Sequence, residues 1–256
     1  MFPNAFRRPG RVAALLVLLA LVGAGVWLYQ RAGNSTPASE EEAVREFRAQ
    51  AGDVPRERGV PEPGVYSFRQ EGRESGGIGP ASVSRDLPGR AVYVVRLVPG
   101  GYEEDLEISE QHIESVRFLM RPAGARAVSR RTKVTFLGIG RDQTDRQRPP
   151  PLVTPRSLPV GRAWRQDYRA GDLPVSVLSR VTEAQTMELG GRRYAVRVIR
   201  TVARTGGSHP GTRTDTLWWS PALAMPLRWD IDMRITGVAR LDTRASLRLE
   251  SAAPRV

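Results

Sequence analysis

The chain has 256 residues, with 39 Lys or Arg against 27 Asp or Glu and a formal net charge of +12. It has no cysteine, which excludes disulfides, thiolate metal sites, cysteine nucleophiles and a lipidated cysteine anchor. Nucleic acid, the usual partner of such a charge, is not expected, because Lys133 is the single lysine and the abundance of arginine, glycine and proline is what a GC-rich coding bias gives.

From the amino terminus, Val12 to Tyr29 form an uninterrupted apolar run of 18 residues, preceded by Arg7, Arg8 and Arg11 and followed by Arg31. As a helix it would cover about 27 Å, close to the hydrocarbon thickness of a bilayer. The run predicts a single-pass transmembrane helix with a cytoplasmic amino terminus and an outer-interface anchor at Trp27 and Tyr29. A secretory signal cleaved near Val22-Gly23-Ala24 is the alternative. Either reading exports residues 32–256 and divides the chain into a tip and membrane helix (1–31), a juxtamembrane linker (32–59) and an extracytoplasmic domain (60–252). The expected location is therefore the plasma membrane.

Within the linker, Ser39 and Glu42 make a capping-box pattern, and Ala43, Val44, Phe47 and Ala51 recur at helical spacing before Gly52 and Pro55. Asn34-Ser35-Thr36 reads as linker polarity.

Past Val60 the helical period gives way to short strands, expected near 64–71, 90–98, 102–109, 112–120, 125–137, 160–169, 174–188, 192–205, 212–219, 227–236 and 240–250. Residues 72–89 read as a glycine-rich connection. Residues 140–157 read as a second, in which Pro149, Pro150, Pro151 and Pro155 bar a sheet ladder. The fold class is mainly β: one transmembrane helix, then an antiparallel sheet of about ten strands curved into a half-barrel, or alternatively a β-sandwich. In the last hairpin an apolar face (Leu227, Trp229, Ile231, Met233, Ile235) alternates with an ionic one. Arg234 opposite Asp242 and Asp232 opposite Arg244 is the register that charge selects.

The chain carries no recognisable catalytic motif. His112 and His209 are 97 residues apart and read as surface-turn residues; Glu103, Glu104, Asp105 and Glu107 do not converge on one side of a strand and read as a solvated edge rather than a calcium site. No metal and no cofactor is expected, and the protein is expected not to be an enzyme. The residues picked for ligand binding are aromatic and apolar: Trp218, Trp219 and Trp229, with Tyr194, Val196 and Val198, on sheet faces suited to a greasy ligand. A basic stripe, Arg126, Arg130, Arg131 and Lys133, is the candidate contact for an anionic surface.

The segments "EAQTMELGGRRYAVRVIR" (183–200) and "TRTDTLWWSPALAMPLR" (212–228), with Leu158-Pro159-Val160-Gly161 and Trp164, resemble exported half-barrel domains of the lipoprotein-carrier superfamily. Together with the start "PGVYSFRQEGRES", their order resembles an uncharacterised group of membrane-anchored actinobacterial proteins. The resemblance implies a curved antiparallel sheet whose concave side holds lipid or acyl chains, although this chain has almost no helix to serve as a lid. The expected function is a non-enzymatic, membrane-anchored module binding a lipid-like ligand or an envelope partner, the alternative being an interaction module without a ligand.

Overall fold

The computed structural model describes residues 35–50, 52, 54–78, 81–136, 139–237 and 239–256. Ser39 caps α1 (Glu40–Gln50), its Oγ accepting the Glu42 amide at 3.3 Å, and three glutamates in the first turn suit the positive end of the helix dipole. The buried face of α1 (Ala43, Val44, Phe47) packs on Val65, Val92 and Val94. The alternate residues of those strands, among them Tyr66, Phe68, Ala91, Tyr93 and Val95, point into the main core. The helix therefore covers the sheet from outside, and the ion pair of Glu40 with Arg255, at 2.7 Å, ties it to the carboxy-terminal segment.

Fourteen strands follow: β1 (Gly64–Ile78), β2 (Ala81–Asp86), β3 (Arg90–Val98), β4 (Gly101–Ser109), β5 (His112–Arg121), β6 (Gly124–Phe136), β7 (Ile139–Arg148), β8 (Leu152–Pro155), β9 (Ala163–Ala170), β10 (Leu173–Leu189), β11 (Arg192–Thr205), β12 (Gly211–Ser220), β13 (Met225–Ile235) and β14 (Ala239–Leu249). Twelve of them close into an antiparallel barrel in the order β1-β3-β4-β5-β6-β7-β9-β10-β11-β12-β13-β14, and β14 pairs back onto β1 from Phe68↔Leu249 to Ile78↔Ala239. β1 splits its other edge between β3 (Gly64–Arg69) and β2 (Arg73–Ile78), while β8 adds to the start of β6.

The expected half-barrel, and the sandwich alternative, are thus corrected to a closed barrel. The two stretches read as connections hold the missing wall: 72–89 contains the second half of β1 and all of β2, and 140–157 contains all but the first residue of β7 and all of β8. Prolines 149–151 fall after β7, so they do not interrupt its ladder. On β7 the face carrying Gln143, Asp145 and Gln147 is polar, which hid its period from any hydrophobic count. β4 is a wall strand between β3 and β5 rather than a solvated edge, with Glu103 opposite both Arg96 and Arg117 and Asp105 ion-paired with Arg96.

The single-pass placement is not carried by the structure. Among the described residues no helix is long and apolar enough to cross a membrane, the helix present there being the eleven-residue α1; the run Val12–Tyr29 lies outside the described residues. The last hairpin has the register that charge selects: Arg234↔Asp242 and Asp232↔Arg244, with ion-pair distances of 3.0 and 3.8 Å.

Eight strands already suffice for side chains to fill a barrel. A twelve-strand barrel is wider, and its interior must be packed by large or long side chains or left partly open. Here one part is packed by aromatics, with Tyr102 stacked on Phe118 at 4.8 Å and Phe68 edge-on to Tyr93 at 5.8 Å. The rest holds charged residues and a cavity.

Candidate functional site

The cavity, about 330 Å³, lies within the barrel wall. Alternation puts Val175, Val177 and Ser179 of β10, and Ile199, Thr201 and Ala203 of β11, on its surface. Trp219 of β12 and Trp229 of β13 continue this lining along the neighbouring strands, and Val153, which is 42% exposed, stands where the lining meets solvent.

A chain of buried ionic groups crosses the same interior. Arg85 of β2 donates to Glu74 of β1 at 2.6 Å and to the Thr135 carbonyl at 3.1 Å. His112 Nδ1 is 2.5 Å from the other Glu74 oxygen, which also accepts the Thr243 hydroxyl at 3.1 Å. On its far side, His112 Nε2 lies 3.4 Å from Glu114. Arg213 of β12 reaches both Glu114 oxygens at 2.7 Å and grips Asp215 through Nε at 2.9 and 3.0 Å. Asp215 in turn accepts the Trp229 indole N–H at 2.9 Å.

Each charge in this chain is compensated by a neighbour, as burial demands. Burial disfavours the His112 imidazolium, but the carboxylates of Glu74 and Glu114 outweigh it and push the pKa up to about 9. Burial likewise opposes the two carboxylates; His112 and Arg85 hold Glu74 below its ordinary value, and Arg213, His112 and Arg130 hold Glu114 well below. Glu104 behaves differently. Burial pushes it up to about 7, despite the hydrogen bond it accepts from the Tyr93 hydroxyl.

The six residues picked for ligand binding do not form one surface. Trp219 and Trp229 line the cavity, whereas Trp218, Tyr194, Val196 and Val198 do not. Trp218 stacks instead under the Arg228 guanidinium, 4.4 Å from its ring centre, and Val196 is buried in the main apolar core with Tyr194 packed against it. The basic stripe is divided by the pleat of β6. Arg130 lines the cavity, Arg131 is exposed and pairs with Asp142 at 2.6 Å, Arg126 donates to the Pro150 carbonyl at 2.7 Å, and Lys133 shares the side of Arg131. His112, read from sequence as a surface-turn residue, is fully buried, because the strand it starts is a barrel wall. The ionic chain was missed altogether; its only trace in sequence is charge at inward positions of strands. Among the described residues no group of three or more metal-ligating side chains is placed to hold an ion.

No protein-family model and no curated protein matches the sequence. Among solved structures, the chain is similar to the hypothetical lipoprotein YmcC of Escherichia coli at 12% identity and a TM-score of 0.35, over 81% of this chain and 98% of that one. That likeness is too slight to bear on fold or function here, and the actinobacterial kinship suggested by the sequence finds no support in it.

Proposed function

We propose that the protein is a non-enzymatic binding barrel that takes an apolar or amphipathic small molecule into its lumen. The observation that carries this reading is the cavity of about 330 Å³, enclosed by strands and lined by Val175, Val177, Ile199, Trp219 and Trp229, a size and character typical of small-molecule sites. The ionisable groups of the lumen support a binding rather than a catalytic role, since Glu74, His112, Glu114, Arg213 and Asp215 are engaged with one another.

Uptake of Nile red by the full chain tests the reading. Binding with an emission blue shift is expected, and Ala203→Phe, which adds a ring inside the lumen, should abolish it. Leu178→Phe, on the outer face at a residue that is 54% exposed, should leave it intact. Equal binding by all three proteins would move the site out of the lumen. No binding by the unaltered chain would favour a ligand-free structural module, a reading that the ion pair spanning the lumen independently supports.

A further inference from the structure

Three lumen-lining side chains on neighbouring strands retain bonding capacity that the protein leaves unused. Gln147 of β7 is only 5% exposed, yet its Oε1 has no hydrogen-bond partner among the described residues. Tyr168 of β9 lines the cavity with a hydroxyl that bonds to no described residue. Arg130 of β6 is the loosest cation of the lumen. Its Nη1 is 3.5 Å from Glu114, whose two oxygens are already held by Arg213 at 2.7 Å, and its side chain is 40% exposed.

Strand register brings the three together. Arg130 is opposite Asp145, Gln147 is two residues further along β7 and opposite Ala170, and Tyr168 is two residues before Ala170. All three side chains therefore share the inner face, forming a diagonal row with about 7–8 Å between diagonal neighbours. The anions facing Arg130 are committed elsewhere: Glu114 to Arg213 and His112, Glu104 to the Tyr93 hydroxyl, and Asp145 to Gln143 at 2.6 Å. A guanidinium, a phenol and an amide that can turn either its N–H or its oxygen inward are a suitable set for a planar or tetrahedral acid group. The apolar wall of Val175, Val177 and Ile199 belongs to the same cavity.

We propose that the lumen's ligand is an amphipathic acid, an alkyl carboxylate or alkyl phosphate, whose acid group is received by Arg130, Gln147 and Tyr168 while its chain lies against Val175, Val177, Ile199 and Trp219. The proposal rests on the lumen being a binding site and names the class of molecule bound there.

Displacement of Nile red from the full chain by decanoate, decyl phosphate and decanol tests it. At least one acid should compete about tenfold more strongly than the alcohol of the same chain length, the size expected of a charge-assisted bond, and the stronger of the two identifies the headgroup. Arg130→Gln should erase that preference and leave decanol unchanged. Tyr168→Phe, which removes a single oxygen, should weaken the acid several-fold and keeps the question open to test if Arg130→Gln does not fold. Equal competition by all three compounds would overturn the acid site while leaving lumen binding standing. If dye binds but none of the three displaces it, the acid site is overturned; if the dye itself does not bind, the reading beneath it fails first.

Discussion

Glu114 on β5 and Arg213 on β12 meet at 2.7 Å across the interior, from strands that lie six places apart whichever way round the twelve-strand circuit is followed. The pair thus bolts opposite walls of the barrel together. With side chains only 6% and 11% exposed, each charge depends on the other to offset its desolvation. Arg213→Met is expected to cost about 3–5 kcal/mol in urea unfolding, because Glu114 is left buried with only Arg130 and His112 nearby. Adding Glu114→Leu should recover part of that loss rather than double it. A double mutant whose cost equals the sum of the two single costs would show that the pair does not act as a unit.

The same interior gives stability a pH dependence. His112 binds its proton more tightly when folded, at about 9 against an ordinary 6.5, so its contribution is complete below about 6.5 and is lost as pH rises through about 9. Glu104 in the interior, and Glu107 on the outer side of the same strand, are both pushed up to about 7 by burial and act in the same sense, stabilising the fold below about 4.5 and losing that contribution through about 7. Glu74 and Glu114 are held below their ordinary values and act oppositely, losing their contribution as pH falls below about 4.5. Melting temperature should therefore peak on the acid side of neutrality and decline steadily to pH 9. Glu104→Gln should flatten the part of the decline between about 4.5 and 7 and leave the alkaline part in place. A melting temperature that rises from pH 6 to 9 would contradict the buried imidazolium.

How much of this was legible in sequence follows from what each residue faces. Strands with an apolar inner face announced themselves: β3 and β11 were placed at their observed limits, and β13 and β14 even in register, because period-two alternation and paired charges are local signals. β7 was not, since its lumen face is Gln143, Asp145 and Gln147, and with it went one wall strand of the barrel. Closure itself is a contact between β1 and β14, which no local pattern reveals. The tryptophans were a partial guide. Trp219 and Trp229 do face the cavity, but adjacency to Trp218 could not tell which of the two neighbouring rings lines it. The ionic chain is the least legible part, because its members come from β1, β2, β5 and β12 and become partners only when the circuit closes.

Closure demands close backbone approach at Gly72, the residue at which β1 passes from β3 to β2 while staying paired with β14. Its φ is +148°, and a Cβ there would lie 2.0 Å from the Arg244 carbonyl oxygen. Gly72→Ala should destabilise the fold by more than about 1 kcal/mol, beyond the usual gain from removing glycine freedom in the unfolded chain. Gly89→Ala, with nothing within 4 Å of its Cβ position, is the control expected to be near neutral. Similar melting temperatures for the two variants would mean that the β1–β14 closure tolerates spreading at this point.

The weakest join in the wall lies between β7 and β9, which share only the pairs Gln147↔Ala170 and Arg148↔Arg169. Further along, β9 is met not by a ladder but by side chains: the Trp164 indole donates to the Leu152 carbonyl at 3.1 Å, and the Gln166 oxygen accepts the Leu152 amide at 3.1 Å. Amides of residues 163–168 that point away from β10 consequently have no backbone acceptor in a neighbouring strand. They should exchange with deuterium at least about tenfold faster than amides of Arg197–Thr205 in β11, a stretch laddered on both edges, because a local opening there breaks few bonds. Trp164→Phe and Gln166→Ala should each speed exchange at β8 and β9 without changing β11. Ligand occupying the lumen should slow it, since Leu152, Val153, Gln166 and Tyr168 belong to the cavity wall. Protection of residues 163–168 equal to that of β11 in the unliganded protein would show that the two side-chain clasps hold this join as firmly as a ladder would.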